Sequence, residues 1–541
     1  MRTMNGSQAV EARPGNASGV DGPVVWWSSL GVLCIALVAP VLAAQVPPLT
    51  DYPNHLARCY VLAFGSRDPV LSQMFSAHWQ IIPNMAIDLL LPALMHVFSP
   101  LTAGRIVLAL CLLTPTTGAI ALSYAYFQRR SFWQLTAGFA AFNVLFLMGF
   151  MNFALAVGIA MWGAAAWVQY RDTTPAMAIA SGVVIGIAVF FFHLMGFCFY
   201  ALLVGGYEFF AILDGGLTQP GGIVNVLKRA LLAAIPFVIP FGLYVFSPLG
   251  KTSSAPVWAS HSRKVWSVLI PFLDYSTTFD VLLMMPVIGF LLLCVWQGKS
   301  RIARPGALCA AILLFAYAIL PTSLKGVWWV DSRMMVMFGF VLFATFLPSG
   351  LSRRSETIAA TVLAILFLAK ITFITGVWVH SQREVRDVRQ VIAPIEPGSR
   401  VLDVDVEKSD NPAWFATMPV GRRIPHLNPT YWHLASFALL DKRAFWPTIF
   451  ATDVQQPIRV REPYLKIVGL GTGPPDYQFL GPHPMTDEDK GRYPFLDDWD
   501  RNFDYVLLMN ADGAGDLRNF LPAKLELLDR QGFAALFRIK K

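Results

Sequence analysis

The sequence predicts a polytopic α-helical membrane protein of about eleven spans, followed by a soluble C-terminal α/β or α+β domain. Three observations lead there. The chain is 55% hydrophobic and only 14% charged, whereas soluble chains carry about 25% charged residues. Apolar stretches long enough for roughly 17 to 25 helical residues recur along its first two thirds. At His380 the sequence turns abruptly dense in charge of both signs.

Residues 1–23 form a polar leader with Arg2 and Arg13. The run that follows is longer than a signal-peptide core, so it reads as an uncleaved first helix rather than a removed signal. Spans are expected at 24–46, 104–127, 132–150, 152–169, 176–193, 195–213, 229–247, 280–297, 306–322, 333–348 and 357–379. The third and fourth run together near Met151, and the fifth and sixth near Met195. A transmembrane domain over 24–379 results, with a long first loop over 47–103.

Orientation follows from charge, since Lys and Arg in short loops mark the cytoplasmic side. From a cytoplasmic N-terminus, the inner loops carry Arg129 and Arg130, then Arg171, then Lys228 and Arg229, then Lys299, Arg301 and Arg304, then Arg353 and Arg354. An odd number of spans then leaves residues 380–541 outside, in the periplasm of a bacterial inner membrane. The formal net charge is +8; Met1 to Val379 holds 21 Lys/Arg against 12 Asp/Glu, and the tail holds 21 against 22. The basic excess therefore belongs to the inner loops and points to no nucleic acid partner. Five of the six cysteines lie inside apolar runs, without disulfide or zinc spacing.

In the tail, 401–406 and 505–509 read as buried strands, 431–440 as an amphipathic helix and 533–539 as a closing strand. Residues 469–484 read as a Pro/Gly-rich loop. Gly469 to Gly473 runs straight into Pro474-Pro475, which excludes a Rossmann phosphate turn.

Acidic groups are few enough in the membrane part for elimination. On the outer side stand Asp51, Asp68, Asp88, Asp274, Asp280 and Asp331. Asp51 lies in Pro47-Pro48-Leu49-Thr50-Asp51-Tyr52-Pro53-Asn54-His55-Leu56-Ala57-Arg58, directly after the first span. The prolines end that helix, and a new helix from Pro53 would return His55 and Arg58 towards Asp51. The ordinary alternative is an Asp that caps the next helix ahead of a Pro.

An acid in the first outward loop, right after the first of nine to thirteen spans, resembles the GT-C superfamily of integral-membrane glycosyltransferases. So does the Asp-x-x-x-His-Leu segment. The resemblance implies transfer of a sugar from a polyprenyl-phosphate carrier in the outer leaflet to a glycan, lipid or protein acceptor. A carboxylate would take the acceptor's proton while cations steady the departing phosphate. The superfamily's commonest signature is two acids spaced by one; Asp51-Tyr52-Pro53 lacks the second, so no cofactor is assigned and a divalent metal has no paired-acid motif behind it.

On that reading Asp51 is the base, with His55 and Asp88 as further catalytic candidates. Asp88 would act itself or orient His55 or Arg58; otherwise it is an exposed residue on an interfacial helix. Arg58, Arg105 and Arg333 sit at outward span ends, where a guanidinium fork suits phosphate. Arg333 resembles the superfamily's late-loop carrier-phosphate Arg, against the plainer option of a local pair with Asp331. Asn152 and His193 would line the same cavity, or simply satisfy packing. Lys370, inside the last span, is costly unless it reaches a cavity or the interface. The tryptophan pairs read first as interface belts. Asn16-Ala17-Ser18 matches a glycosylation sequon in the leader and carries no weight. Two rivals remain at this stage: a transporter or flippase of lipid-linked saccharides, and an assembly factor whose tail binds a partner.

Overall fold

The computed structural model describes residues 19–215, 222–406, 416–452, 454–469, 473–481, 485–513 and 522–541. The leader sequon and the centre of the Gly469 to Gly473 loop lie outside the described residues. Helix α1 (Pro23–Ala43) opens on a proline, tolerated where the first amides have no helical partner. The first loop is partly helical, with α2 (Tyr52–Phe64), α3 (Leu71–Met74), strand β1 (Phe75–Ala77) and α4 (Ala86–Met95) ahead of α5 (Pro100–Phe127).

The third expected span is corrected. Residues 132–150 are not an α-helix but a 3₁₀ helix, Phe132–Ala140, followed by the short α6 (Val144–Leu147). Apolarity there reports burial in protein, not contact with lipid. Trp133, Phe139 and Phe142 are at most 1% exposed. A Cβ on Gly138 would sit 2.8 Å from Leu33 and 3.0 Å from Phe367, so neighbouring helices touch the backbone itself. The Ser131 and Gln134 side chains cap each other's amides at its start. A 3₁₀ helix rises about 2.0 Å per residue, so a short segment still reaches far. One end is tied near the start of α1, by Trp26 Nε1 to the Ser131 carbonyl at 3.0 Å, and the other ends at Gly149 beside Asp51.

The chain continues through α7 (Met151–Tyr170), α8 (Pro175–Phe192), α9 (Leu194–Asp214) and α10 (Gly222–Phe246). A loop with α11 (Pro248–Lys251) and α12 (His261–Ser267) leads to α13 (Thr277–Trp296). Strand β2 (Ser300–Ile302), α14 (Arg304–Ile319), the hairpin β3 (Ser323–Leu324) and β4 (Val327–Trp328), α15 (Val330–Thr345), β5 (Phe346–Pro348) and α16 (Arg353–His380) follow. Among the described residues eight helices have the length and apolarity to cross a membrane, and α14 and α15 are shorter, at 16 residues each. The molecule is an integral membrane protein.

The basic loops gather on one face. Arg171 and Arg229 share Glu208 at 3.2 and 2.6 Å, Arg229 also holds Asp172, and Arg304 meets Asp214 at 3.1 Å. Strands β2 and β5 pair there as well.

On the opposite face sits the C-terminal domain. After α17 (Gln382–Val391), strands β6 (Val401–Asp405), β8 (Tyr505–Met509), β9 (Leu525–Gln531) and β10 (Ala534–Ile539) form one sheet in the order β6-β8-β10-β9, parallel only between β6 and β8. The expected strands stand within a residue or so. The expected helix over 431–440 is a 3₁₀ turn, Leu434–Ser436, running into Phe437–Lys442.

This domain is fastened to the first loop. Strand β7 (Ile458–Val460) pairs antiparallel with β1. The Gln382 side chain bonds Gln45 and Val46, and Thr50 Oγ1 donates to the Pro429 carbonyl at 3.3 Å.

Candidate functional site

Five of the six acids that the sequence placed on the outer side are paired with a cation. Asp88 meets Arg58 at 2.7 Å with both side chains at most 2% exposed. Asp68 meets Arg443 at 3.3 Å, and Asp331 meets Lys264 at 3.3 Å while accepting from the Thr322 hydroxyl. Asp274 and Asp280 share Lys370, at 2.8 and 2.6 Å, with the Phe272 carbonyl as a third acceptor. Lys370 therefore reaches neither cavity nor interface; the chain tolerates its charge by surrounding it, which a buried ion requires. The same cluster steadies the loop before Asp51, because the Tyr275 hydroxyl donates to the Pro48 carbonyl and receives the Trp378 indole N–H.

Asp51 is the exception. It stands at the N-cap position of α2, yet its side chain makes no capping bond. Its backbone is pinned instead, with Thr50 and Asp51 amides donating to the Leu147 and Met148 carbonyls. Gly149, at φ +91°, lets the chain pass so close that a Cβ there would lie 2.9 Å from that of Asp51. The carboxylate is 19% exposed, and its neighbour is His433 Nε2 at 3.4 Å, from the C-terminal domain.

His433 was not foreseen, since a lone histidine on an apolar helical face carries no local signal; its meaning comes from a contact with a residue far away in the chain. Asn54 orders the pair. Its Oδ1 accepts the Phe450 amide at 2.9 Å, and its Nδ2 donates to the Thr448 carbonyl at 2.9 Å and faces His433 Nδ1 at 3.4 Å. Phe450 and Trp446 set the ring plane, with centroids 5.0 and 5.7 Å away. Below lies Asp403, fully buried on β6, its carboxyl pushed up to about 6 by burial, with Trp446, His433 and Thr448 pulling the other way.

His55 turns to the same loop, its Nε2–H donating to the Gly149 carbonyl at 3.2 Å while Nδ1 has no partner among the described residues. Burial, then the Arg58 and His433 charges, hold its pKa well below the usual histidine value.

The expected pair between Asp331 and Arg333 does not form. Arg333, 6% exposed, lays its guanidinium over the Phe150 ring at 4.9 Å and the Phe153 ring at 5.8 Å. Its Nε and Nη1 have no acceptor among the described residues. Phe150 directly follows Gly149, so one stretch of backbone connects Asp51 to Arg333. Among the described residues Arg105 bonds only Thr102 Oγ1, at 3.5 Å, with Nε unpaired there, and its charge reaches Tyr52 beside Asp51.

The other candidates hold structural contacts, with Arg58 Nη1 and Asp88 Oδ2 lacking a hydrogen-bond partner among the described residues. Arg58 and Asp88 clamp α2 to α4, so Asp88 is neither exposed nor available to His55. Asn152 accepts the Ile87 amide and donates to the Asn84 carbonyl and side chain. His193 caps α9, accepting the Met195 amide at 3.0 Å. Both tie the first loop or its neighbours to the bundle.

A bundle of apolar helices is roofed by a mixed C-terminal domain, with a carboxylate just past the first helix. This overall course is similar to that of two crystal structures of ArnT from Cupriavidus metallidurans. The structure bound to undecaprenyl phosphate has TM-score 0.52 and 12% identity over 94% of this chain and 97% of that one. The apo structure has TM-score 0.52 and 11% identity over 95% and 98%. Likeness at this identity is likeness of fold. No protein-family model and no curated protein matches the chain.

Proposed function

We propose that this protein is a membrane glycosyltransferase that moves a sugar from a polyprenyl-phosphate carrier to a periplasmic or lipid-linked acceptor. It would lie in the bacterial inner membrane with its N-terminus cytoplasmic and residues 380–541 periplasmic. One observation carries the reading. Where the other outward acids are neutralised, Asp51 has no Lys or Arg partner among the described residues, and Arg333, joined to it through Gly149 and Phe150, holds two buried N–H groups without an acceptor. An acid and an unsatisfied guanidinium in one place suit a proton acceptor and a phosphate holder.

In this mechanism Asp51 removes the proton of the acceptor hydroxyl. The freed oxygen attacks C1 of the sugar, the bond from C1 to the phosphate oxygen breaks, and the polyprenyl phosphate leaves with the electron pair. Arg333 and Arg105 hold the phosphate as its charge grows. ArnT of the same fold binds undecaprenyl phosphate, which supports a carrier of this type here.

The test is release of undecaprenyl phosphate from a panel of undecaprenyl-phosphate-linked hexoses and pentoses, in membranes supplied with envelope extract. Asp51→Asn should slow turnover by about 10²-fold or more while the membranes still bind undecaprenyl phosphate. Equal turnover removes Asp51 from the mechanism. Transbilayer movement of the lipid-linked sugars without any transfer would favour a flippase.

A further inference from the structure

The contact between Asp51 and His433 joins residues of two domains, and its hydrogen positions can be derived. The Phe450 amide can only donate, so the Asn54 atom that it meets at 2.9 Å is the carbonyl oxygen. The other Asn54 atom is then the NH₂ group. One of its hydrogens goes to the Thr448 carbonyl, and the second faces His433 Nδ1. Nδ1 must therefore offer its lone pair, which leaves the proton of the neutral ring on Nε2. Nε2 lies 3.4 Å from Asp51 Oδ1.

We propose that His433 of the C-terminal domain is a positioning residue for the Asp51 carboxylate, held by Asn54 in the tautomer that presents Nε2–H to Oδ1. This deepens the reading of Asp51 as the base and rests on it. The consequence is specific. With Nε2 beside Oδ1, Oδ2 is the oxygen left to receive the acceptor's proton. The ionisable groups around His433 are Asp51 before α2, His55 on α2 and Asp403 on β6. None of them competes for Nδ1, which Asn54 occupies.

Two measurements on the full chain in lipid nanodiscs test this. The first is the ¹⁵N signal of His433 among the nine histidines, assigned by its loss in His433→Gln. A protonated Nε2 and bare Nδ1, with a signal that moves in Asp51→Asn, are expected. A protonated Nδ1, or no response to Asp51→Asn, overturns the proposal.

The second is turnover of the best undecaprenyl-phosphate-linked donor from the panel. His433→Phe should lower kcat by about 10²-fold, the scale of a small misplacement of a reacting group, with donor KM unchanged. His433→Gln, whose amide N–H reaches as far as Nε2, should restore most of the rate. Wild-type kcat in His433→Phe overturns the positioning role. If Asp51→Asn turns over like wild type, the functional reading fails instead, and the ¹⁵N signal still decides the contact.

Discussion

Arg333 offers a perturbation whose two effects have opposite signs. Its guanidinium is buried, and its Nε and Nη1 meet no acceptor among the described residues. An unsatisfied buried donor costs about 1–3 kcal/mol, so the pair costs roughly 2–6. Stacking over Phe150 and Phe153 returns about 2 kcal/mol for a desolvated cation. The protein without ligand thus carries a net strain on the order of 0–4 kcal/mol here. Arg333→Met keeps the apolar stem and removes the strain, so the ligand-free variant should melt a few degrees higher. A charge-assisted hydrogen bond to phosphate contributes about 1.5–3 kcal/mol, so undecaprenyl phosphate should bind about 10- to 150-fold more weakly. Thermal unfolding in nanodiscs and lipid titration read the two quantities on one sample. A variant that melts lower and binds the lipid as tightly as wild type would make Arg333 a structural anchor and refute the reasoning.

Three further outcomes follow from the geometry. Arg58→Met and Asp88→Leu should each destabilise by about 3–5 kcal/mol, because each strands a buried charge, while the double variant should recover much of the loss; additive melting shifts would break the clamp argument. Gly149→Ala should cost about 1–3 kcal/mol from its positive φ and lower turnover by pushing on Asp51, so full turnover with normal lipid binding would contradict the close approach. His55 is held neutral by burial, so the unfolded chain binds its proton first. Stability present above pH 6.5 should fall as the medium is acidified below it, and His55→Gln should flatten that slope in melting curves.

Much of the bundle was legible because a bilayer demands long apolar runs. The same signal misread residues 132–150, since hydropathy registers exclusion from water and cannot tell lipid from the flanks of neighbouring helices. Asp51 stood out locally, by its prolines and its place after the first helix. The pairing of Arg58 with Asp88, and of Asp331 with Lys264 rather than Arg333, depends on how helices rotate about their axes, which single-sequence spacing leaves open. His433 and Asn54 were out of reach for a different reason: each is unremarkable in its own neighbourhood and acquires meaning only through the other.

The bonds from the first loop to the C-terminal domain have a bearing on biosynthesis. Asn54 and the Thr448 carbonyl that it holds are 394 residues apart. At roughly 5–20 residues per second of synthesis, that interval lasts about 20–80 s. Throughout it the loop bearing Asp51 waits, already threaded through the membrane but without its roof. A ribosome stalled before the tail would therefore leave behind a chain whose Asp51 loop lacks its partners from the C-terminal domain.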